Sequence, residues 1–407
     1  MKNTAFIPTD IYLPQNVDMN KWSVIACDQF TEQRAYWDKL TELVGDAPST
    51  LALILPEAYL EDNDVQERIQ SANRTMEQYL NNGVLRRYEN AMIYVERILT
   101  DGSLRRGLVG ALDLEEYSFS TDADTLCRPT EQTVPARIPP RKKLREGAFL
   151  ELPHAMMLLD DKEGTVIEAV GAQKESLTCV YDFDLPMNSG HITGYLLSDA
   201  LCRQVQSALL TLKEESVQKY GSALLYLVGD GNHSIATAKS CYEDIAESDH
   251  PARHCLVELC NLHDASLKFE PIHRVLFGAD QADLLTALQA AHPAEEGDGQ
   301  FVTLLTEAEK RTIPLGRPST KLSVGTLQQF LDQYMSKHPE VTIDYVHEES
   351  SLMECCKRGG IGLMLPAMDK DSLFESILCD GVLPRKTFSM GHAADKRFYL
   401  ECRKIVK

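Results

Sequence analysis

The stretch LLYLVGDGNHSIATAK at residues 224–239 most narrowly constrains how this chain can fold. Its first five residues are apolar, which is typical of a short buried strand, and the spacing of Ile235, Ala238 and Tyr242 predicts an amphipathic helix directly after it. Gly231 permits a tight turn between the two elements because it has no Cβ. The turn carries four polar residues, Asp230, Asn232, His233 and Ser234. The stretch therefore predicts a strand-to-helix unit with polar side chains at the helix N-terminus.

This polar turn has two interpretations, and the local sequence leaves both open. The first turn of a helix carries unpaired N–H groups and the positive end of the helix dipole, so it favours an anion by about 0.3–1 kcal/mol. His233 can titrate near neutral pH beside such an anion. In the second interpretation Asp230 and Ser234 only cap the helix, which is a common role for these residue types.

Periodicity along the rest of the chain predicts an α+β fold. Helical spacing indicates a helix within residues 64–83 and a long helix over Ser198–Tyr220, with Ser198 as its N-cap. Two apolar runs around Asp101-Gly102 predict a β-hairpin, and residues 155–170 predict a second one. Hairpins combined with strand–helix alternation favour mixed sheets with flanking helices over a purely parallel, doubly wound sheet.

Composition excludes several classes of partner. The 407 residues carry a formal net charge of −20, which argues against a nucleic-acid-binding surface but leaves room for a local cation cluster. No apolar run reaches the ~18 residues of a membrane-spanning helix, and the N-terminus lacks the apolar segment of a signal peptide, so we expect a cytoplasmic protein without membrane contact. The eleven cysteines lack paired spacings, which predicts reduced thiols, no disulfide and no zinc site. The oligomeric state is left open.

Four further segments place polar side chains on loops or at strand ends. Asp28 follows the apolar stretch at residues 23–26, and residues 127–145 form the densest basic segment. We divide the chain into an N-terminal α/β core at 1–250 and a C-terminal α/β part at 251–407. That second part contributes the sequence Glu-Pro-Ile-His-Arg, which ends at Arg274, and a second group of cations in LPRKTFSMGH. Each segment taken alone is also explained as a solvated surface.

These segments together resemble the family known as domain of unknown function 1015. The resemblance spans nearly the whole chain in order, through CDQF, RRGLVGALDLEEY, RPTEQT, VGDGNHSIATAK, EPIHRVLF and LPRKTF. It implies a core similar to ParB-like proteins and free serine kinases, which share an Asp-Gly-His-His-Arg turn with the family, and an association with serine metabolism. The chain departs from the pattern at Asn232 and Ser234, and has Ala-Cys-Asp where many members have Pro-Pro-Tyr-Asp. Asp28, Asp230, Gly231 and His233 match.

We therefore hypothesise that these loops converge on one pocket for a small phosphorylated or otherwise anionic metabolite. The chemistry would be phosphoryl transfer or phosphoester hydrolysis on a serine- or phosphoserine-like substrate, because such reactions need mainly positioning and charge neutralisation. The candidate catalytic residues are Asp28, Asp230, His233 and His273. The candidate substrate-binding residues are Arg128, Thr130, Glu131, Arg137, Asn232, Ser234, Glu270, Arg274, Arg385 and Lys386.

Cofactors and a rival function stay open. A nucleotide and Mg²⁺ are candidate cofactors, with Asp230 as the favoured carboxylate, although no set of metal ligands is apparent in the sequence. The alternative is a non-catalytic regulatory module that binds a metabolite or nucleotide. A DNA-associated, ParB-like role conflicts with the net charge of −20.

Overall fold

The structure, a computed structural model, describes residues 4–120, 124–294 and 297–407. The chain forms two units. The first comprises Met1–Pro129, Thr133–Leu267 and His392–Lys407, and the second comprises Thr130–Gln132 and Lys268–Gly391. The predicted division at residue 250 stays a prediction. In the structure the main boundary follows Leu267, and the C-terminal segment His392–Lys407 belongs to the first unit.

The first unit contains most of the secondary structure. Its helices are α1 (Met19–Trp22), α2 (Arg34–Val44), α3 (Val65–Asn81), α4 (Ile138–Arg145), α5 (Ile167–Gly171), α6 (Asp199–Tyr220) and α7 (Asn232–Ile245). Its strands before residue 268 are β1 (Phe6–Ile7), β2 (Thr9–Pro14), β3 (Val24–Ile25), β4 (Leu85–Ala91), β5 (Ile93–Ile98), β6 (Leu104–Asp113), β7 (Cys127–Pro129), β8 (Leu150–Glu151), β9 (Met156–Leu159), β10 (Thr178–Asp184), β11 (His191–Leu196), β12 (Tyr226–Asp230) and β13 (His254–Asn261). The predicted mixed α+β class is thus confirmed.

A mixed sheet of nine strands organises this unit, in the order β10-β11-β5-β6-β13-β9-β12-β7 with β1 beside β6. Strand β9 runs parallel to β13 and antiparallel to β12, whose Asp230 lies opposite Met156. Because β9 and β12 are antiparallel, the end of β12 and the residues just before β9 lie at the same edge of the sheet. This register places the polar turn after β12 beside His154.

Alternation along the strands buries both faces of the sheet. On β5, Tyr94 packs in one apolar cluster with residues of α5, α6 and α7, such as Val205 and Ile235. Ile93 and Val95 pack in the other cluster with residues of α1, α2 and α3. Each large apolar side chain buried in this way contributes about 1.5–3 kcal/mol to folding. No helix of the described residues is long and apolar enough to cross a membrane.

The local predictions for this unit had different outcomes. The hairpin around Asp101-Gly102 is confirmed as β5 paired with β6, and the Ser198 side chain accepts the Leu201 N–H as the N-cap of α6. The second hairpin, at residues 155–170, is wrong, because β9 is followed by helix α5 instead of a returning strand. The Asp161 carboxylate accepts the N–H groups of Thr165 and Val166, and this turns the chain into the helix.

The second unit is built on an antiparallel sheet of five strands. Its strands are β14 (Phe269–Pro271), β15 (His273–Phe277), β16 (Gly297–Leu305), β17 (Lys310–Gly316), β18 (Thr342–Val346), β19 (Ile361–Met364) and β20 (Phe388–Met390). Its helices are α8 (Gln281–Ala291), α9 (Ser323–Lys337), α10 (Glu349–Cys356) and α11 (Ser372–Asp380). The sheet has the order β17-β16-β19-β15-β18, and β14 pairs separately with β20. Leu276, Leu304 and Leu331 belong to the apolar cluster between this sheet and its helices.

The C-terminal segment adds two short strands to the first unit, β21 (Phe398–Tyr399) and β22 (Arg403–Lys404). Strand β21 pairs with β3 and β22 pairs with β8. The first of these pairings brings Tyr399 next to the loop that carries Cys27 and Asp28. All eleven cysteines carry free thiols in the structure.

Candidate functional site

The turn between β12 and α7 requires glycine at position 231. Gly231 has a φ of 80°, in the left-handed region, and is the N-cap of α7, which begins without a side-chain cap. A Cβ built on Gly231 would lie 2.7 Å from the Cα of Ala155 and 3.1 Å from Cδ2 of His154. The Gly231 carbonyl accepts the N–H groups of Ser234 and Ile235. The chain therefore passes closely over β9, and the start of α7 faces His154.

Asp230 does not serve as a helix cap. Its Oδ1 accepts the adjacent Gly231 N–H at 2.9 Å, and its Oδ2 lies 3.1 Å from the ammonium of Lys396. The Asp230 side chain is 27% exposed. The capping role considered for Asp230 is therefore absent, and the interpretation in which the polar groups of the turn face a ligand stays a prediction.

The other polar residues of the turn are intermediate in exposure. Nε2 of His233 accepts the Val134 N–H at 3.1 Å, which requires an unprotonated Nε2 in this arrangement. Oδ1 of Asn232 is buried and has no hydrogen-bond partner in the described structure. Ser234 is half-buried in the first turn of α7. His233 thus anchors the chain after residue 133 to the turn.

A second group of polar side chains meets beside this turn. Nε2 of His154 lies 3.1 Å from Oδ2 of Asp28, and Nδ1 of His154 lies 2.6 Å from the hydroxyl of Tyr399. That hydroxyl donates to Sγ of Cys27 at 3.2 Å and accepts the Cys27 N–H at 3.3 Å. The four groups form a continuous chain of carboxylate, imidazole, phenol and thiol.

Electrostatics fixes the charges of this group. Burial acts to lower the pKa of His154, but the Asp28 carboxylate outweighs it and holds that pKa well above its usual value. Burial acts to raise the pKa of Asp28, but His154, Gln29 and Lys396 together hold it far below the usual range. Burial and the neighbouring Cys27 raise the pKa of Tyr399. At neutral pH the group therefore contains a carboxylate, an imidazolium and a neutral phenol.

The two groups share one location in the first unit. His154 lies where a Cβ at Gly231 would meet it, and Lys396 both pairs with Asp230 and acts electrostatically on Asp28. We call this set the Asp230–His154 site, defined by Cys27, Asp28, His154, Asp230, Gly231, Lys396 and Tyr399.

Two buried arginines hold the segment that carries Lys396. Arg97 is 1% exposed and donates to the carbonyls of Lys396 and Ala394. Arg105 donates to the carbonyl of Asp395 at 2.8 Å, and the Asp395 carboxylate accepts the N–H and hydroxyl of Thr100. These hydrogen bonds fix the backbone of this segment against the sheet, and they therefore fix the position from which the Lys396 side chain reaches Asp230.

Most of the described cations in the basic segment at 127–145 form ion pairs with carboxylates from other parts of the first unit. Arg141 pairs with Glu57, Lys142 with Asp244, and Arg145 with Glu151. Arg128 is close to Asp124, with its Nη2 3.6 Å from Oδ1. The side chain of Arg137 lies outside the described residues. Three cations of α4 are thus already paired with carboxylates, whereas Lys143 is exposed to solvent. A role for Arg128 and Arg137 in substrate binding stays a prediction.

The second unit holds the remaining candidates. Nδ1 of His273 accepts the Leu365 N–H, and burial and the adjacent Arg274 lower the pKa of His273. Arg274 is fully buried and donates to the carbonyls of Ile272, Arg385 and Lys386, and burial lowers its pKa to about 10. Arg274 therefore holds the loop that presents the exposed Arg385 and Lys386 side chains.

The residues at 130–132 also belong to this second unit. Thr130 is buried and its carbonyl accepts the Leu383 N–H, while Oε1 of Glu131 is 3.4 Å from the Thr387 N–H. Glu270 lies on β14 opposite Ser389. The single pocket shared by His233 and His273 stays a prediction.

Sequence reasoning missed His154, Lys396, Tyr399 and Cys27 as site residues. His154 stands in Leu-Pro-His just before an apolar run, whereas Asp28 was identified by its place just after one, so the start of a strand was the signal that was overlooked. Lys396 and Tyr399 carry no local signal, because only the long-range pairing of β21 with β3 brings them to the site. Among the described residues, no group of three or more His, Cys, Asp or Glu could hold a metal ion.

Comparisons with known proteins identify the family. The profile described as "Protein of unknown function (DUF1015)" matches residues 10–334, so the chain belongs to this family, as the motifs indicated. No curated protein matches the chain. Similar solved structures include a free serine kinase in complex with AMP, which has a TM-score of 0.37 and 14% identity over 73% of this chain and 90% of that one.

Two further solved structures are similar at the same level. A conserved hypothetical protein from Pyrococcus furiosus has a TM-score of 0.36 and 13% identity, covering 73% of this chain and 94% of that one. SbnI with a C-terminal truncation, from Staphylococcus aureus, has a TM-score of 0.36 and 10% identity, covering 72% of this chain and 82% of that one. Similarity at this distance does not establish a shared activity.

Proposed function

We propose that this member of the DUF1015 family binds a small phosphorylated metabolite at the Asp230–His154 site and transfers or hydrolyses its phosphoryl group. The observation that supports this most is the meeting of two cations, His154 and Lys396, at the N-terminus of α7 in a chain of net charge −20. A helix N-terminus and adjacent cations favour the same kind of ligand, an anion.

The geometry suggests how a phosphate would be held. The N–H groups at the start of α7, the Lys396 ammonium and the His154 imidazolium would surround it, since all three lie beside Gly231 or Asp230. Phosphoryl transfer needs mainly such positioning and neutralisation of charge. The rigid backbone contacts of Arg97 would keep Lys396 in place during the reaction.

The two carboxylates would have different roles. Asp28 is bound to His154 and has a strongly lowered pKa, so it would act as a positioning residue that keeps the imidazole protonated. Asp230 is partly exposed and would orient the hydroxyl of a serine- or phosphoserine-like substrate. His273 stays a predicted catalytic residue on the second unit. A nucleotide would serve as phosphoryl donor. The described residues offer no group of metal ligands around Asp230, whose carboxylate is paired with Lys396, so no step is assigned to Mg²⁺.

One observation favours a second function, a regulatory module that binds a metabolite or nucleotide without turnover. Asp28 and Asp230 are both already paired with cations, so neither stands as an unpaired general base. Ligand binding and turnover must therefore be measured separately.

Binding is tested by thermal unfolding in the presence of inorganic phosphate, phosphoserine and AMP. A ligand at ~100 times its dissociation constant stabilises the protein by ~2.7 kcal/mol. We expect phosphate to raise the melting temperature of the wild type, and Lys396→Gln to abolish most of that increase. Lys357→Gln is the matched control, because Lys357 is an exposed cation paired only with Glu354 in the second unit. An equal effect of phosphate on the wild type and Lys396→Gln would contradict the proposed site.

Turnover is tested by phosphate exchange between serine or phosphoserine and ATP, ADP or water. Asp230→Asn should lower turnover by roughly 10²-fold, because it removes the carboxylate that would orient the substrate hydroxyl, and leave the fold intact. Asp64→Asn, which also removes one carboxylate of a surface ion pair, should retain full turnover. A wild type that binds phosphate tightly and turns over none of these substrates would establish the regulatory module instead.

A further inference from the structure

The thiol of Cys27 lies in the Asp230–His154 site but has no role in the proposed phosphoryl transfer. Its Sγ accepts the Tyr399 hydroxyl at 3.2 Å, and the same hydroxyl is 2.6 Å from Nδ1 of His154. The other nitrogen of His154 is held by Asp28 at 3.1 Å. A nucleophile, a bridging donor, an imidazole and an orienting carboxylate thus stand in hydrogen-bonded order.

This order is the one that activates a thiol. The thiolate is the reactive form of cysteine, and hydrogen-bond donors and a nearby imidazolium stabilise it. The Tyr399 hydroxyl donates directly to the Cys27 sulfur, and the His154 imidazolium places a positive charge next to that hydroxyl. Asp28 fixes the imidazole ring, as the third group does in other nucleophile–base–orienter arrangements.

The remaining cysteines lack this combination. Eight of the eleven are buried, and Cys179 and Cys379 are exposed. The Cys179 thiol donates to the Tyr181 carbonyl, and partial burial together with Asp182 raises its pKa. Cys27 is intermediate in exposure and, of the three that are not buried, is the one whose sulfur accepts a hydrogen bond from a hydroxyl in the described structure.

We propose that Cys27 is a nucleophilic thiol and a covalent modification site for soft electrophiles of the class of low-molecular-weight disulfides. In the exchange step the Cys27 sulfur attacks one sulfur of the disulfide RS–SR. An S–S bond forms at Cys27, the original S–S bond breaks, and the second half leaves as RSH with the proton of the Cys27 thiol. The adduct stands beside His154 and blocks the Asp230–His154 site until a thiol reverses it.

Alkylation of the native protein with a limiting amount of iodoacetamide tests this proposal, with the extent at each cysteine read by peptide mass spectrometry. We expect Cys27 to react faster than Cys179 and Cys379, although both of these are more exposed. Tyr399→Phe removes one hydrogen bond to the sulfur and should slow alkylation of Cys27 about tenfold, with the rates at Cys179 and Cys379 unchanged. Should Tyr399→Phe fold poorly, His154→Gln removes the charge behind the phenol and should also slow the reaction.

Two outcomes would overturn the proposal: a Cys27 rate below that of both exposed cysteines, or a Cys27 rate unaffected by both Tyr399→Phe and His154→Gln. The reactivity of Cys27 does not depend on phosphoryl transfer. Alkylation of Cys27 and stabilisation by phosphate are measured on the same samples, so either can fail without the other. Rapid alkylation of Cys27 in a protein that phosphate does not stabilise would support the reactive thiol and reject the phosphate site. Phosphate stabilisation together with an unreactive Cys27 would do the reverse.

Discussion

The substitution Asp28→Asn removes the carboxylate that keeps His154 charged, and its cost follows from the geometry. The Oδ2–Nε2 distance is 3.1 Å, and the side chains of Asp28 and His154 are 28% and 12% exposed. Exposed ion pairs contribute about 0–1 kcal/mol, whereas breaking a buried pair costs about 3–5 kcal/mol. For this intermediate exposure we expect a loss of about 2 kcal/mol in the free energy of unfolding.

The sign of the pH dependence follows from the two shifted pKa values. His154 has a raised pKa in the folded state, so its contribution is full below about pH 6.5 and is lost as the pH rises through the folded value. Asp28 has a lowered pKa, so its contribution is present above about pH 3.9 and is lost on acidification. The difference between the wild type and Asp28→Asn should therefore be largest between about pH 4 and pH 6.5.

Urea unfolding of both proteins across this range measures the difference. Asp64→Asn is the control, because Asp64 forms an exposed pair with Arg68 and should change stability by no more than about 0.5 kcal/mol. A loss in Asp28→Asn that is equal at about pH 5.5 and about pH 9 would refute the assigned charge states of the pair.

Three other substitutions or titrations test separate parts of the structure. Gly231→Ala should lower the free energy of unfolding by more than the about 1–2 kcal/mol expected from left-handed backbone strain, because the new Cβ would meet Ala155. Gly221→Ala is the control in urea unfolding: its Cβ would have open space, so it should show the backbone strain alone. Arg97→Lys should lower the free energy of unfolding by about 2–4 kcal/mol, since lysine cannot serve both carbonyls that the guanidinium holds, and an unchanged midpoint would show that these contacts do not stabilise the fold. Thiol titration should find all eleven cysteines in denaturant and at most Cys27, Cys179 and Cys379 in the native protein; fewer than eleven would reveal a disulfide.

Local sequence patterns predicted the turn between β12 and α7 well, because the geometry of this turn depends on residues that are neighbours in the chain. An apolar run, a glycine and a helical spacing specify β12, Gly231 and α7 in any tertiary context. The Ser198 cap was predictable for the same reason, since the cap bond is made to Leu201 only three residues away.

The second hairpin shows where such patterns fail. Residues 155–170 contain two apolar runs around a turn-forming stretch, and this composition suits a hairpin as well as a strand followed by a helix. The Asp161 carboxylate decides between them by binding the N–H groups of Thr165 and Val166. The second run then buries Ile167 and Val170 from a helix instead of a strand.

Four of the seven residues of the candidate site were not predicted, and two of them, Lys396 and Tyr399, are brought there by long-range pairing. Asp28 and Asp230 were identified from strand ends, but Lys396 and Tyr399 come from a segment more than 150 residues further along the chain. Their presence depends on β21 pairing with β3 and on Arg97 binding the carbonyl of Lys396. No pattern within either segment encodes that contact.

A crystal structure of the protein grown in inorganic phosphate tests the central claim most directly. We predict phosphate density at the start of α7, within hydrogen-bonding distance of the Asn232 N–H and of the Lys396 ammonium. We also predict that Lys396→Gln crystals grown in the same way lose that density. Phosphate bound only elsewhere, or a start of α7 without phosphate in well-ordered wild-type crystals, would contradict the claim that the Asp230–His154 site binds an anion.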